Sequence, residues 1–381
     1  MINKTKFSLS KYGLVSSLVL VTVFFGLVTK GNMFVPMNVT NIFMQNAYLI
    51  ILATSMYFCL STGNVDLSVG SVVCFSGAML GFMTVTNNYP LWLAVLVIII
   101  SGVAIGLFQG TLIAYFGVPA FIATLGGELV FRGASMLLLD SQTLGPFAKS
   151  VQFFAAGFVF REHKIFGLNI LCLIVLVIGI TLVIYSEIKK RKKRIEHGFN
   201  IEPLYSSIAK VVAIIFAMSF VMISIAKYNG MPFILIILIF IVMFYSYIAN
   251  NTAFGRHVFA VGANRKAARL SGVKDKLTIL IVFTNAGLLA SIAGIAVAGR
   301  LNAATSLAGI GYELEAISSV LIAGGARAGI FGTFVGASIM AIVNNGMSVL
   351  GLASDVQKII KGIILVIAVG IDIYSKTKSK K

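Results

Sequence analysis

Residues 61–71 read Ser-Thr-Gly-Asn-Val-Asp-Leu-Ser-Val-Gly-Ser and separate one apolar run from the next with almost no room for a loop. Asn64, Asp66 and Ser68 combine an amide, a carboxylate and a hydroxyl, a set suited to hydrogen-bonding a polar solute on its way through an apolar protein. Unpaired peptide groups in hydrocarbon cost several kcal/mol each, so such a break must be covered by neighbouring helices or line a watery cavity. Asp66 has two compatible roles. It can cap the following helix by accepting the N–H of Ser68 or Val69, and as an ionisable group at membrane depth it is a functional candidate.

Other candidate groups are few. Glu128 precedes Arg132 by four residues, the spacing of an intrahelical ion pair, with contact to a passing solute as the alternative. Glu313 and Glu315 stand two apart at the start of a helical pattern, on faces too divergent for joint acid/base work. His163, His197 and His257 are scattered over polar stretches, and Cys59, Cys74 and Cys172 lie inside apolar runs as small hydrophobes. No metal site is expected. No G-x-x-x-x-G-K-[ST] phosphate cradle occurs, and Gly324-Gly325-Ala326-Arg327-Ala328-Gly329 lacks the lysine and hydroxyl one needs. The pattern assigns neither catalysis nor a cofactor to this chain, and any ATP would be used by another subunit.

The elements that must position these groups are membrane spans. Of 381 residues, 59% are hydrophobic and 11% charged, against about a quarter charged in soluble domains. About twelve apolar runs approach the ~20 residues of a bilayer crossing: 12–29, 41–60, 66–85, 91–115, 118–139, 165–185, 208–226, 231–249, 277–298, 314–325, 330–350 and 357–374. The tenth is short and the fifth carries Gly126, Gly127, Glu128 and Arg132, so either is a candidate broken or re-entrant segment, leaving 10 to 12 crossings. The expected fold is an all-α polytopic membrane domain spanning 1–381.

The net charge of +18 collects at the N-terminus (Lys4, Lys6, Lys11), at Lys189 to Arg194, in the loop holding Arg256, Arg265, Lys266, Arg269, Lys274 and Lys276, and in the tail (Lys376, Lys378, Lys380, Lys381). An even number of crossings puts all four on one side, which the positive-inside rule makes cytoplasmic, both termini included. Cations clustered this way argue for lipid and against nucleic acid. Residues 186–206 read as a charged, solvated cytoplasmic linker. Residues 311–320 echo residues 64–73, each an acidic start to a Ser-rich apolar run, as an inverted repeat would show. Gly325, Gly329, Gly332 and Gly336 sit at spacings that favour close helix packing, with a hinge as the alternative.

Residues 250–276 form a polar cytoplasmic loop in which Asn264 can cap a short helix from Arg265 to Ser271 that Gly272 ends. Its spacing, x-Ala267-Ala268-x-x-x-Gly272, resembles the coupling loop of ABC importer permeases, with Lys266 in place of the usual Glu. Residues 63–71, 118–126 with Phe131-Arg132-Gly133, 252–256, 260–264 and 362–372 resemble the sugar branch of that family, the permeases of ribose, xylose, arabinose and galactose importers. The long central insertion looks most like the xylose-type or multiple-sugar members. Departures are Val65, Ala263 and Glu128.

The resemblance implies a permease subunit in a bacterial inner membrane, paired with a second permease copy. Two ATP-binding subunits would dock on the coupling segment, with Gly262, Asn264, Arg265, Ala267, Ala268, Arg269 and Gly272 as its residues. An extracytoplasmic sugar-binding protein would deliver the monosaccharide, and Glu313 and Glu315 are expected to meet it. Alternatives are a nucleoside or autoinducer permease of the same superfamily and, from another class, an ion-coupled secondary transporter using Asp66, Glu128 or Asp372.

Overall fold

A computed structural model of the chain describes the backbone of residues 9–199 and 203–378, with side chains from 13 to 370 outside that gap. The side chains of Lys4, Lys6, Lys11, Asp372, Lys376, Lys378, Lys380 and Lys381 fall outside these described residues. Helix α1 (Leu9–Val28) is followed by α2 (Pro36–Gln45) and α3 (Ala47–Ser61), which meet at a 43° bend at Asn46. Then come α4 (Val69–Gly81), extended by a π-helical turn at Phe82–Thr86, α5 (Leu91–Ala114), α6 (Ala120–Leu138), the short α7 (Lys149–Ala156), α8 (Ile170–Glu196), α9 (Leu204–Lys227) and α10 (Phe233–Asn251). The rest is α11 (Ala253–Ala263), α12 (Arg265–Leu270), α13 (Asp275–Leu301), α14 (Tyr312–Ala323), a 3-10 turn at Gly325–Ala328, α15 (Gly329–Val349) and α16 (Ser354–Lys378). Strand pairing among the described residues is limited to short two-residue ladders, such as Phe158–Val159 with Met231–Pro232, and an isolated bridge between Leu144 and Ala304.

Eight of the described helices are long and apolar enough to cross a membrane, nine if the bent pair α2–α3 counts as one span. This is an all-α, multi-pass membrane protein. Helix α3 is apolar on every side and buries all but Leu60, so it forms the centre of the bundle. Helices α13, α14 and α15 pack against it, whereas α8 and α9 expose Ile178, Leu182, Val212 and Phe216, the side chains a lipid-facing hairpin presents. Cys59, Cys74 and Cys172 are free and buried, small hydrophobes of the interior.

Several boundaries differ from the sequence expectations. The fifth run is one continuous helix, α6, in which Gly127 packs against Gln109 and Ser68 while Gly126 faces outward with nothing near it. The tenth run is the 12-residue α14, stopped by Gly324 in the left-handed region (φ 106°). Helix α8 continues through Lys189 to Arg194 as far as Glu196 and α9 resumes at Leu204, so most of the 186–206 segment is helix. The 250–276 segment is two helices, since Thr252 caps α11 with its hydroxyl accepting from Gly255 N. Gly325 and Gly329 are turn residues with φ of 67° and 69°, not members of a helix face. Gly332 lies against Ala328 of its own turn, and Gly336 alone of the four brings two helices together, since a Cβ there would lie 2.1 Å from Ser319 O of α14.

Helices α5 and α13 pack on glycines at intervals of four. A Cβ at Gly102 would stand 2.6 Å from Gly287 O, one at Gly106 2.3 Å from Phe283 O, and one at Gly110 3.1 Å from Leu280 O. Backbone meets backbone along three turns. We predict that Gly106→Ala forces these helices apart and costs about 1–3 kcal/mol, as overpacking does. Gly126→Ala, with nothing within 4 Å of the added carbon, should leave stability unchanged or raised. Thermal unfolding of both variants in detergent checks the contrast.

Candidate functional site

Two interruptions of the helical backbone meet inside the bundle. The first follows α3: Gly63 turns in the left-handed region (φ 79°), Asn64 Nδ2 donates to Thr62 Oγ1 at 3.0 Å, and the chain returns toward α4. Asp66 Oδ1 accepts from Ser68 N at 2.9 Å and from Ser68 Oγ at 2.6 Å, closing a turn one residue ahead of the helix. Ser68 is the cap position of α4. Asp66 and Ser68 are each 1% exposed, so in this conformation they are sealed and shape the break instead of lining an open path.

The second interruption runs from Asn302 to Gly311. Asn302, Gly309 and Gly311 take positive φ of 54°, 78° and 80°, which folds the segment back into the bundle before α14 begins. The two breaks touch through backbone. A Cβ on Gly309 would lie 2.0 Å from Gly70 O, and one on Gly70 would lie 2.3 Å from both Gly309 O and Glu313 Oε2. The echoing segments found in the sequence therefore bring the starts of α4 and α14 together.

Helix α6 straps both breaks. At Gly127 it presses on Ser68 Cβ and Gln109 Nε2, 3.4 and 2.1 Å from where a Cβ would stand. One turn on, Arg132 Nη1 donates to Ser306 O at 2.9 Å and Ala308 O at 2.6 Å, satisfying two carbonyls that the second break leaves free. No Glu128–Arg132 ion pair forms among the described residues, which corrects the expectation from their spacing. The exposed carbonyls compete for the guanidinium and win it. Gln109 is buried, its Oε1 3.0 Å from Ser68 Oγ and its Nε2 without a partner among the described residues.

Glu313 and Glu315 do not form a docking surface. Glu313 is 8% exposed and lies against Gly70. Glu315 accepts from Tyr48 Oη at 2.8 Å, Asn344 Nδ2 at 3.0 Å and Lys361 Nζ at 2.6 Å. Tyr48 stacks on Tyr312 with ring centroids 3.8 Å apart, and Asn344 also donates to Asn46 Oδ1 at the α2–α3 bend. The first turn of a half-length helix faces the interior here, so Glu315 ties α3, α14, α15 and α16 together while Glu313 is buried against the start of α4, and both acids are covered in this conformation.

The expected coupling segment has the expected local form. Asn264 Oδ1 accepts from Ala267 N at 3.0 Å, and Gly272 ends the turn with φ 84°. Its arginines are already engaged: Arg265 Nε donates to Asp275 at 2.8 Å, and Arg269 grips the same carboxylate through Nε at 2.9 Å and Nη2 at 2.7 Å. With Ala268 buried, this clamps α12 onto the start of α13, leaving Leu270 at its tip 90% exposed. Helix α11 carries the second link, because a Cβ at Gly262 would fall 1.8 Å from Ser61 O, the last residue before the first break.

Among residues the sequence pattern left unmarked are Gln109, Lys361, Asp275 and Leu270. Only Leu270, an apolar residue inside a basic capped helix, carried a local signal. Breaking the buried Glu315–Lys361 pair with Glu315→Ala should cost about 3 kcal/mol, at the low end for buried pairs because Lys361 is only partly buried. The double variant Glu315→Gln/Lys361→Met should lose less. Unfolding of the two variants in detergent decides this.

Comparison with known proteins agrees with this architecture. Residues 38–369 match the family model for the branched-chain amino acid transport system / permease component. The chain is 31% identical over 375 residues to the xylose transport system permease protein of Haemophilus influenzae, covering 97% of this chain and 98% of the relative. It is 30% identical over 364 residues to the ribose import permease protein of Escherichia coli K12, covering 94% and 92%. The D-allose transport system permease protein of the same organism is 24% identical over 367 residues, covering 95% and 91%. No solved structure matches the chain. Most of its length thus follows one family model, and this chain belongs to the family of branched-chain amino acid transport system permease components.

Proposed function

We propose that this chain is the membrane-spanning permease subunit of an ABC importer that passes a monosaccharide, a pentose of the xylose type, across a bacterial inner membrane. A separate ATPase subunit uses the ATP, an extracytoplasmic binding protein delivers the sugar, and a second permease copy completes the pore. What carries this reading is the mechanical continuity from α12 through α11 to the break, a device that a self-driven carrier has no use for. End-to-end similarity to sugar permeases supports the substrate class.

In this reading the side bearing α12 is cytoplasmic, with residues 186–206 and 250–276 and both termini on it. The ATPase seats Leu270 and the exposed face of Lys266 and Ala267. Asn264, Arg265, Arg269 and Gly272 keep the helix formed, and Ala268 is small enough to seat against the bundle. Movement of α12 drives α11, whose Gly262 bears on the Ser61 carbonyl and shifts the segment holding Asn64, Asp66 and Ser68. Gly70 then slides against Gly309, opening the joint to one side or the other. Holding must be weak at every station, because a deep well would trap the sugar.

Two variants separate docking from transmission. In proteoliposomes holding the permease, its ATPase and loaded binding protein, Leu270→Asp should abolish both ATPase stimulation and D-xylose uptake. Gly262→Val should retain ATPase binding while uptake falls more than tenfold, since the added carbons collide with the Ser61 carbonyl. Normal uptake in both variants overturns the coupling assignment, and absence of ATP-dependent uptake of any monosaccharide by the unmodified complex overturns the function.

A further inference from the structure

One row of α6 is polar. Thr124, Glu128, Arg132 and Ser135 recur at intervals of three and four along a helix otherwise built from Phe, Ile, Leu, Val, Ala, Met and Gly, so they share a face. Three of them are satisfied internally. Thr124 Oγ1 donates to Ala120 O at 2.9 Å, Ser135 Oγ to Phe131 O at 2.6 Å, and Arg132 holds the Ser306 and Ala308 carbonyls. Glu128 accepts no hydrogen bond and joins no ion pair among the described residues.

Glu128 is half-buried and sits at the middle of α6, one residue after Gly127 presses on the first break and one turn before Arg132 grips the second. Its neighbours Thr124 and Ser135 are fully buried, whereas Leu125, Leu129 and Val130 on the other faces are exposed. Glu313 lies within electrostatic reach of both Glu128 and Arg132. A lone carboxylate at such depth faces away from hydrocarbon, toward the bundle interior or a water-filled space. On α6 that is the side beside the joined breaks.

Resting on the monosaccharide reading above, we propose that the Glu128 carboxylate is a sugar-contacting group, accepting hydroxyl protons from the passing solute where the two breaks meet. An ionised carboxylate offers two acceptor oxygens and no donor, which suits a pair of neighbouring hydroxyls. Arg132, with a donor already committed to two carbonyls, fixes the wall beside it. The contact is a single acceptor, strong enough to orient the sugar and shallow enough to release it.

The test uses the complete importer in proteoliposomes with D-xylose and its monodeoxy analogues. Glu128→Gln should assemble normally and keep ATPase stimulation by loaded binding protein, yet move at least tenfold less D-xylose per ATP, with Glu128→Asp intermediate. Delivery by the binding protein is common to both permeases, so the ratio of their rates isolates the permease contact. For one deoxy analogue the wild type should lose rate while Glu128→Gln loses none further, identifying the hydroxyl accepted. Equal sugar-to-ATP ratios in wild type and Glu128→Gln, or equal deoxy losses in both across the series, overturn the proposal. Failure of the wild type to move any sugar would instead count against the function reading.

Discussion

Backbone that leaves a helix inside an apolar bundle must find hydrogen-bond partners from protein, and the whole architecture answers to that constraint. Two segments break, after Ser61 and after Leu301, and each is the other's cover. Gly70 and Gly309 are in backbone contact because neither has a Cβ, and Arg132 takes the Ser306 and Ala308 carbonyls that remain. Asp66 folds the first turn through the Ser68 amide and hydroxyl. Glycine spacing on α5 and α13 then holds those two helices in backbone contact beside the joint.

Charge inside the bundle falls into two kinds. Glu315 is saturated by Tyr48, Asn344 and Lys361 and so fastens four helices. Asp275 is saturated by Arg265 and Arg269 and fastens α12 to α13. Glu128 stands apart from both, half-buried and with no hydrogen-bond or ion-pair partner among the described residues. That difference separates groups that stabilise the fold from one left open to a solute.

The membrane class, most spans, the capped helix at Asn264 and the special status of residues 61–71 are legible in the sequence, since each rests on local pattern: hydropathy, cap chemistry or a polar interruption. The echo at residues 311–320 points to the second break, though its contact with the first depends on Gly309, whose neighbour lies more than two hundred residues away. The Glu128–Arg132 spacing misleads because position along a helix says nothing about competing carbonyls from a distant loop. Glu313 and Glu315 look like surface groups because acidic helix starts usually are exposed; here the helix is half-length and starts inside. Lys361 and Asp275 give no local signal, their partners being chosen by tertiary packing.

The central claim is that α12, α11 and the first break move as one body against the second break. Spin labels at Lys266, Val65 and Leu307 in the complete transporter, with and without bound nucleotide, test it directly. The Lys266–Val65 distance should stay constant between states while the Val65–Leu307 distance changes. A Lys266–Val65 distance that changes with nucleotide while Val65–Leu307 stays fixed would contradict the account.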